Sequence, residues 1–167
     1  YPFKKDIPLK EIEVKESDFL GKGSFARVYN YNDKSEMCLK ENSCALKFLK
    51  TEKTNVKTIE KEMKNIIMQI VLYKKMEEEI KKLKLEGVVP RIPKIYEIGV
   101  YETEDGKNEF YIIMENTGKS LEDYLKENKD SLTLEQKLEL FKQIAFSVKL
   151  MHNSGFIHRD LKPDNTT

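Results

Sequence analysis

The eight residues from His158 to Asn165, which read His-Arg-Asp-Leu-Lys-Pro-Asp-Asn, constrain this chain more than any other segment. They follow Gly155, which interrupts an amphipathic helical pattern, so they are predicted to form a loop. At least six specified residue types at these spacings meet by accident at about one starting point in 10^7, so chance does not explain the string. The loop combines a carboxylate, an ammonium group and an amide, which indicates a catalytic segment.

Net charge and cysteine content limit which binding partners and which cellular compartment we expect for this chain. The 167 residues are 35% charged and carry a net charge of +1. This balance gives no general attraction to nucleic acid or to an anionic membrane, and no apolar run is long enough to span a bilayer. The two cysteines, Cys38 and Cys44, do not make a disulfide framework. We therefore expect a reducing, intracellular setting, in the cytoplasm.

The first two thirds of the chain predict five strands with one helix inserted after the third. Aromatic and β-branched residues mark the strand-like segments 12–20, 25–31, 44–49, 94–101 and 109–114. Residues 56–85 carry apolar side chains at three-to-four spacing, which predicts one long helix. Its first half is more apolar and is expected to pack on the sheet. Its second half, rich in Glu and Lys, is expected to project into solvent.

Two further helices are predicted after the strands. Ser120 with Asp123 has the pattern of an N-cap, and a short helix runs through Leu125. Thr133 with Gln136 has the pattern of a capping box and starts a helix over 134–151. The order of elements is therefore an α+β pattern, in which a sheet lobe precedes a helical lobe.

Two motifs in the strand region bear on phosphate binding. Gly21 and Gly23 lie between two strand-like segments. This order favours a flap whose backbone approaches phosphates over a dinucleotide-binding turn, because the latter needs a helix after the glycines. Lys47, at the centre of the third strand, is a candidate cation for the same phosphates. Its carboxylate partner is either Glu62 or Glu79 on the long helix, with the more apolar setting favouring Glu62.

These residues together resemble the eukaryotic protein kinase family, and the resemblance covers essentially the whole chain. It implies a protein-kinase-like fold with a five-stranded antiparallel N-lobe sheet, one long helix and an incomplete helical C-lobe. The chain is then a partial kinase domain, with residues 1–116 as the N-lobe and 117–167 as the hinge and the start of the C-lobe. The segment from Met114 to Asp123 and the stretch 87–93 are similar to casein kinase relatives.

The resemblance also implies roles for individual residues, with ATP and Mg²⁺ bound between the lobes. Asp160 accepts the proton of the substrate hydroxyl, Lys162 neutralises the moving phosphoryl group, Asn165 ligates Mg²⁺, and His158 braces the loop. Lys47 holds the α- and β-phosphates. Ser120 and Asp123 lie where a ribose hydroxyl could be met, although capping is the favoured role. The expected nucleotide-binding residues are Leu20, Gly21, Gly23, Phe25, Ala26, Val28, Ala45, Lys47, Glu62, Met114, Glu115 and Thr117.

Lys162 at the second position after Asp160 is similar to serine/threonine kinases, and its continuation into Pro163 favours protein substrates. The charge balance described above gives no nucleic-acid or membrane partner. The resemblance places an Asp-Phe-Gly motif and the remaining C-lobe helices after Asn165. We therefore expect the 167 residues to be part of a longer protein and to be inactive alone. The apolar face of the helix 134–151 is expected to be exposed. The alternative function is a catalytically inactive kinase-fold module, or pseudokinase, that acts by binding.

Overall fold

The computed structural model describes residues 12, 14–22, 26–31, 44–49, 56–102, 106 and 108–166. Within these residues the strands are β1 Phe19–Lys22, β2 Ala26–Tyr31, β3 Cys44–Leu49, β4 Ile95–Glu102 and β5 Asn108–Glu115. The helices are α1 Val56–Lys82, α2 Leu121–Glu127 and α3 Leu134–Asn153. Single 3-10 turns lie at Glu16–Asp18 and Pro163–Asn165.

The five strands form one antiparallel sheet in the order β1-β2-β3-β5-β4. This confirms the α+β class and the five-stranded antiparallel sheet. The prediction of one continuous strand over 12–20 is wrong, because a 3-10 turn occupies Glu16–Asp18 and β1 begins at Phe19. The N–H of Asp18 donates to the C=O of Lys15 at 3.0 Å. Glu, Ser and Asp favour such turns over a pleated strand.

One face of the sheet, here called the core face, carries a buried aromatic and aliphatic cluster. Ile12 and Val14 pack against it. Glu109 is buried on the same face, where it accepts hydrogen bonds from Tyr101 Oη at 2.6 Å and Arg27 Nη2 at 3.3 Å. Burial, and then the hydrogen bond to Glu109, raise the pKa of Tyr101 well above its ordinary value. The cluster comprises Tyr31, Cys44, Leu46, Phe48, Tyr111 and Ile113.

The chain divides into two compact units, each described separately below. The first comprises Tyr1–Ile67 and Pro93–Asn116, and the second comprises Met68–Ile92 and Thr117–Thr167. The boundary between the units after residue 116 coincides with the predicted lobe boundary. Residues 68–92, which were predicted to belong to the N-lobe, belong to the second unit. The predicted lobe boundaries themselves stay a prediction.

The second half of α1 is a packed element of the second unit. Met76 is 0% exposed and Ile80 is 6% exposed, and both pack with Leu150 and Met151 near the end of α3. The prediction that this half projects into solvent is therefore wrong. Glu and Lys side chains cover the outer surface, while apolar residues four apart keep one narrow stripe for the neighbouring helix.

Local capping starts both helices of the second unit after α1. Ser120 Oγ accepts the N–H of Asp123 at 3.2 Å and donates to its carboxylate at 2.9 Å. Thr133 and Gln136 form the reciprocal capping box, with donor–acceptor distances of 3.2 and 2.9 Å. Both predicted N-caps are confirmed. Ser120 and Asp123 therefore satisfy each other at the start of α2, as their capping role requires.

The apolar face of α3 is exposed along most of its length and is covered near its C-terminal end. Leu134 is 72% exposed and Phe141 is 67% exposed, as expected from the sequence. Leu150 and Met151 are 2% and 6% exposed because α1 covers them, so the expectation is wrong for this end. None of the described helices has the length and apolar content needed to cross a bilayer.

The cysteine expectation also needs correction. Cys44 is disulfide-bonded, and its side chain is fully buried in β3. This bond differs from the reducing setting expected from the cysteine content. The sequence contains one other cysteine, Cys38, which lies outside the described residues.

Candidate active site

Apart from Glu115, whose predicted contact is through its backbone, the residues predicted to meet the nucleotide from β2, β3 and β5 share one face of the sheet. Lys47 lies opposite Val28 on β2 and Ile112 on β5, and Ala45 lies opposite Met114. Directly opposed residues point to the same side of a sheet, and side chains alternate along each strand. On these three strands the face carries Ala26, Val28, Asn30, Ala45, Lys47, Leu49, Phe110, Ile112 and Met114. It is the face opposite to the core face.

Side-chain sizes on this face suit a flat ring and a phosphate chain. Ala45 is 4% exposed and Ala26 is 7% exposed, so neither projects beyond the sheet. Lys47 is half-buried and is the basic residue of β3. The phosphate-binding role of its ammonium group stays a prediction. The predicted nucleotide contacts of Val28 and Met114 also stay predictions.

β1 brings the first glycine of the predicted flap to the same face. Gly21 lies opposite Val28. The pairing shifts between Phe19 and Gly21, which leaves Leu20 in a bulge with its side chain 53% exposed. A bulge re-aims the side chain that it carries. Gly23 and Phe25, both predicted to bind the nucleotide, lie outside the described residues.

The two candidate carboxylate partners of Lys47 have different surroundings. Among the described residues, no acidic side chain, Glu62 included, forms an ion pair with Lys47 within 4 Å. In the second unit, Glu79 accepts a hydrogen bond from Asn153 Nδ2 at 3.3 Å and pairs with Lys82 Nζ at 3.4 Å. The Glu79 side chain is only 13% exposed. These contacts give Glu79 a structural role and favour Glu62 as the partner, which stays a prediction.

The end of β5 is the predicted hinge. The N–H of Glu115 donates to the C=O of Lys94 at 2.8 Å, and the N–H of Lys94 donates to Glu115 Oε2 at 3.1 Å. These two bonds hold the last residue of the strand. Thr117 is exposed, and Gly118 has a φ of +80°, a conformation that favours glycine. The predicted adenine contacts of Glu115 and Thr117 involve backbone atoms, so their side chains neither support nor exclude them.

The string 158–165 forms a loop that begins where α3 ends. Gly155 has a φ of +85°, and the N–H of Phe156 donates to the C=O of Met151 at 3.1 Å, which closes the helix. Arg159 has a φ of +66°. A non-glycine residue in this region is uncommon, and such strained positions cluster at functional sites. The N–H of Asp160 then donates to His158 Nδ1 at 3.3 Å.

Asp160 is the centre of the hydrogen bonds within this loop. Asn165 Nδ2 donates to Asp160 Oδ2 at 2.7 Å and to the C=O of Asp160 at 3.1 Å. Both residues lie on the surface of the second unit. The amide of Asn165 therefore fixes the direction of the Asp160 carboxylate.

Lys162 lies between two carboxylates. Its Nζ is 3.8 Å from Asp160 Oδ2 and 3.9 Å from Asp164 Oδ2. The three side chains are 49%, 69% and 63% exposed, so these ion pairs add little to stability. Their weakness leaves the Lys162 ammonium group able to turn to a more highly charged anion such as a phosphoryl group.

The donor chemistry of the loop fits a divalent cation that is held together with phosphates. Among the described residues, no cluster of three His, Cys, Asp or Glu side chains could hold a metal alone. Mg²⁺ usually takes one or two protein oxygens and completes its shell with phosphate oxygens and water. Asn165 uses its nitrogen on Asp160, so its amide oxygen is the atom that would hold the ion.

Asp164 and Thr166 make contacts in this region that the residue pattern did not predict. Asp164 gives Lys162 a second carboxylate, and Thr166 closes the turn that follows Pro163. Asp164 occupies a variable position of the motif, so its residue type carried no signal. Thr166 follows the motif directly, and its hydroxyl next to a tight turn was the available signal.

Comparison with known proteins identifies relatives over nearly the whole chain. A family model described as the protein kinase domain matches residues 14–166. The chain is 32% identical over 158 residues to the serine/threonine-protein kinase ULK1 of Homo sapiens, which covers 93% of this chain and 12% of that protein. It is 30% identical over 148 residues to the CBL-interacting serine/threonine-protein kinase 15 of Arabidopsis thaliana, covering 88% of this chain and 29% of that protein.

A third relative is the calcium/calmodulin-dependent protein kinase type 1 of Caenorhabditis briggsae. It is 30% identical over 149 residues, which is 89% of this chain and 35% of that protein. The chain therefore spans between 12% and 35% of the length of these three relatives.

Proposed function

This chain belongs to the protein kinase family, and on that premise we propose that the protein containing it transfers the γ-phosphoryl group of ATP to protein serine or threonine hydroxyls. One observation carries the proposal: Asn165 Nδ2 lies 2.7 Å from Asp160 Oδ2, and Lys162 Nζ lies 3.8 Å from the same oxygen. The carboxylate of Asp160, the proposed base, thus has a cation and an amide beside it. This combination suits phosphoryl transfer, which depends on positioning and charge stabilisation.

On the nucleotide side, Lys47 holds the α- and β-phosphates and the small side chain of Ala45 admits the adenine ring. Their shared face with Val28 and Met114 supports this assignment. Met114 borders the adenine pocket, and the backbone of Glu115 and Thr117 binds the adenine edge. Gly21 has no side chain, so the backbone of β1 can approach the phosphates there.

Asp160 is the base of the reaction. Its carboxylate accepts the proton of the substrate hydroxyl as that oxygen bonds to the γ-phosphorus. The bond between the γ-phosphorus and the bridging oxygen breaks, and ADP leaves with the electron pair. The hydrogen bonds from Asn165 and the contact of the Asp160 N–H with His158 hold the carboxylate in one direction throughout.

Lys162 and Asn165 manage negative charge during the transfer. Lys162 turns from its exposed partners to the γ-phosphoryl oxygens and stabilises the charge that develops there. Asn165 holds Mg²⁺ through its amide oxygen. Mg²⁺, when bound, would neutralise negative charge on the phosphate oxygens.

The full-length protein tests the proposed function. Incubated with Mg²⁺ and ATP labelled in the γ-phosphate, it is expected to label peptides that contain Ser or Thr and not matched peptides with Tyr. Lys162 supports this substrate class, because it is similar to the residue of serine/threonine kinases at that position. Labelling of Tyr peptides alone would contradict the substrate class. ATP binding without transfer to any peptide would favour the inactive binding module.

A matched pair of variants separates the two carboxylates on α1. We expect Glu62→Gln to lower kcat/KM about tenfold or more, because the proposed ion pair with Lys47 in the ATP-bound protein could not form, whereas Glu79→Gln lowers thermal stability and leaves kcat/KM within about twofold. The reason is that Glu79 already contacts Asn153 and Lys82. Steady-state kinetics and thermal melting measure the two effects. The reverse pattern would assign the ion pair to Glu79.

A further inference from the structure

Thr166 lies immediately after the predicted metal ligand Asn165 and makes three hydrogen bonds. Its hydroxyl donates to the C=O of Lys162 at 3.0 Å, and its N–H donates to the C=O of Pro163 at 3.3 Å. Its C=O accepts the N–H of Leu121 at 2.6 Å. We propose that Thr166 is a positioning residue that holds Asn165, and through it Asp160, in the geometry needed for Mg²⁺ and proton transfer. The inference rests on the proposed function.

The hydroxyl of Thr166 tightens the turn that carries Asn165. The C=O of Lys162 accepts two donors, the Thr166 hydroxyl and the N–H of Asn165, both at 3.0 Å. Pro163 fixes one backbone angle of the same turn. The direction of the Asn165 side chain therefore depends on a turn that the Thr166 hydroxyl stabilises through its hydrogen bond to the C=O of Lys162.

The carbonyl of Thr166 ties this turn to the start of α2. Leu121 is the first residue of α2, and the first N–H groups of a helix have no partner within it. Ser120 Oγ accepts the N–H of Asp123, and the C=O of Thr166 accepts the N–H of Leu121. α2 directly follows the predicted hinge segment, so Thr166 joins the loop that carries Asp160 to the helix after that segment.

A side chain of the same shape without a hydroxyl tests the inference. In the full-length protein, Thr166→Val is expected to lower kcat about two- to tenfold, in line with the net worth of one hydrogen bond, and to raise the Mg²⁺ concentration for half-maximal rate by a similar factor. KM for the peptide should stay within about twofold, because no substrate contact is removed. Thr166→Ser keeps the donor and should restore both quantities to near the wild-type values.

Thr133→Val is the matched control. It removes the N-cap hydroxyl of α3, so it should lower thermal stability without changing kcat or the Mg²⁺ requirement below the melting temperature. Equal kinetics for Thr166→Val and wild type would overturn the inference. So would a Thr166→Ser variant as impaired as Thr166→Val, or a Thr133→Val variant with the same change in Mg²⁺ requirement.

Amide hydrogen exchange separates a failure of this inference from a failure of the proposed function. If the wild-type protein transfers no phosphate, the proposed function fails, and exchange at Leu121 and Asn165 then decides the role of Thr166. Both amides should exchange faster in Thr166→Val than in wild type or Thr133→Val, because the turn is loosened. Unchanged exchange at both positions would refute the positioning role.

Discussion

Asp160→Asn in the full-length protein is expected to lower kcat for phosphoryl transfer about 10²–10⁴-fold, the usual contribution of a positioned base. Asparagine has nearly the same shape, and its side-chain oxygen can still accept the hydrogen bond that Asn165 donates at 2.7 Å. The loop should therefore keep its geometry and lose only the ability to take a proton. ATP affinity, measured by equilibrium binding, should change by less than about threefold because no phosphate contact is removed.

Asp164→Asn is the matched control for Asp160→Asn. Asp164 is four residues away, is similarly exposed and lies 3.9 Å from the same Lys162 ammonium group. If Asp160 acts as the base, neutralising Asp164 should change kcat by less than about threefold, as expected for an exposed ion pair. Equal losses in the two variants would mean that the negative charge of the loop matters and that Asp160 is not the base.

Lys47→Met is expected to lower kcat/KM for ATP about 10²–10³-fold, which is the typical loss when one donor to a reacting anion is removed. Lys47 lies between Val28 and Ile112 on the face that carries the predicted nucleotide contacts. Methionine keeps the unbranched stem that packs against these neighbours and removes the charge. The measurements are the nucleotide dissociation constant and the steady-state rate.

Lys64→Met provides the control for Lys47→Met. Lys64 is exposed on α1 and has the same change in charge and side-chain length. Its kinetics should match the wild type, and the melting temperatures of both variants should stay within a few degrees of it. An active Lys47→Met protein with unaltered nucleotide affinity would contradict the phosphate-binding role.

Much of the fold could be predicted because the signals are local. The capping box of Thr133 and Gln136 involves residues three apart, and the structure confirms it. β3 is a short apolar run whose limits, Cys44 and Leu49, agree with the prediction. Such features depend on neighbours in the chain, so a reading of residue types finds them. The turn at Glu16–Asp18 was missed because its flanking residues are apolar enough to resemble a longer strand.

The candidate site was predictable in composition and less so in geometry. The residue types of the loop identified Asp160, Lys162 and Asn165, and the structure gathers all three around one carboxylate. Thr166 was missed because its contribution comes from a backbone contact with Leu121, 45 positions earlier in the chain. Contacts at that separation leave no periodic pattern in the residue types.

The sequence by itself determined the order of strands and helices and the identity of the chemical groups in the loop 158–165. Tertiary structure alone decided which half of α1 is buried, because Met76 and Ile80 have a partner only where Leu150 and Met151 reach them. It also decided that Glu79 contacts Asn153, and that Val28, Ala45, Lys47 and Met114 share one side of the sheet. The physical reason is that burial and register depend on surfaces distant in the chain, whereas caps and turns form between neighbours.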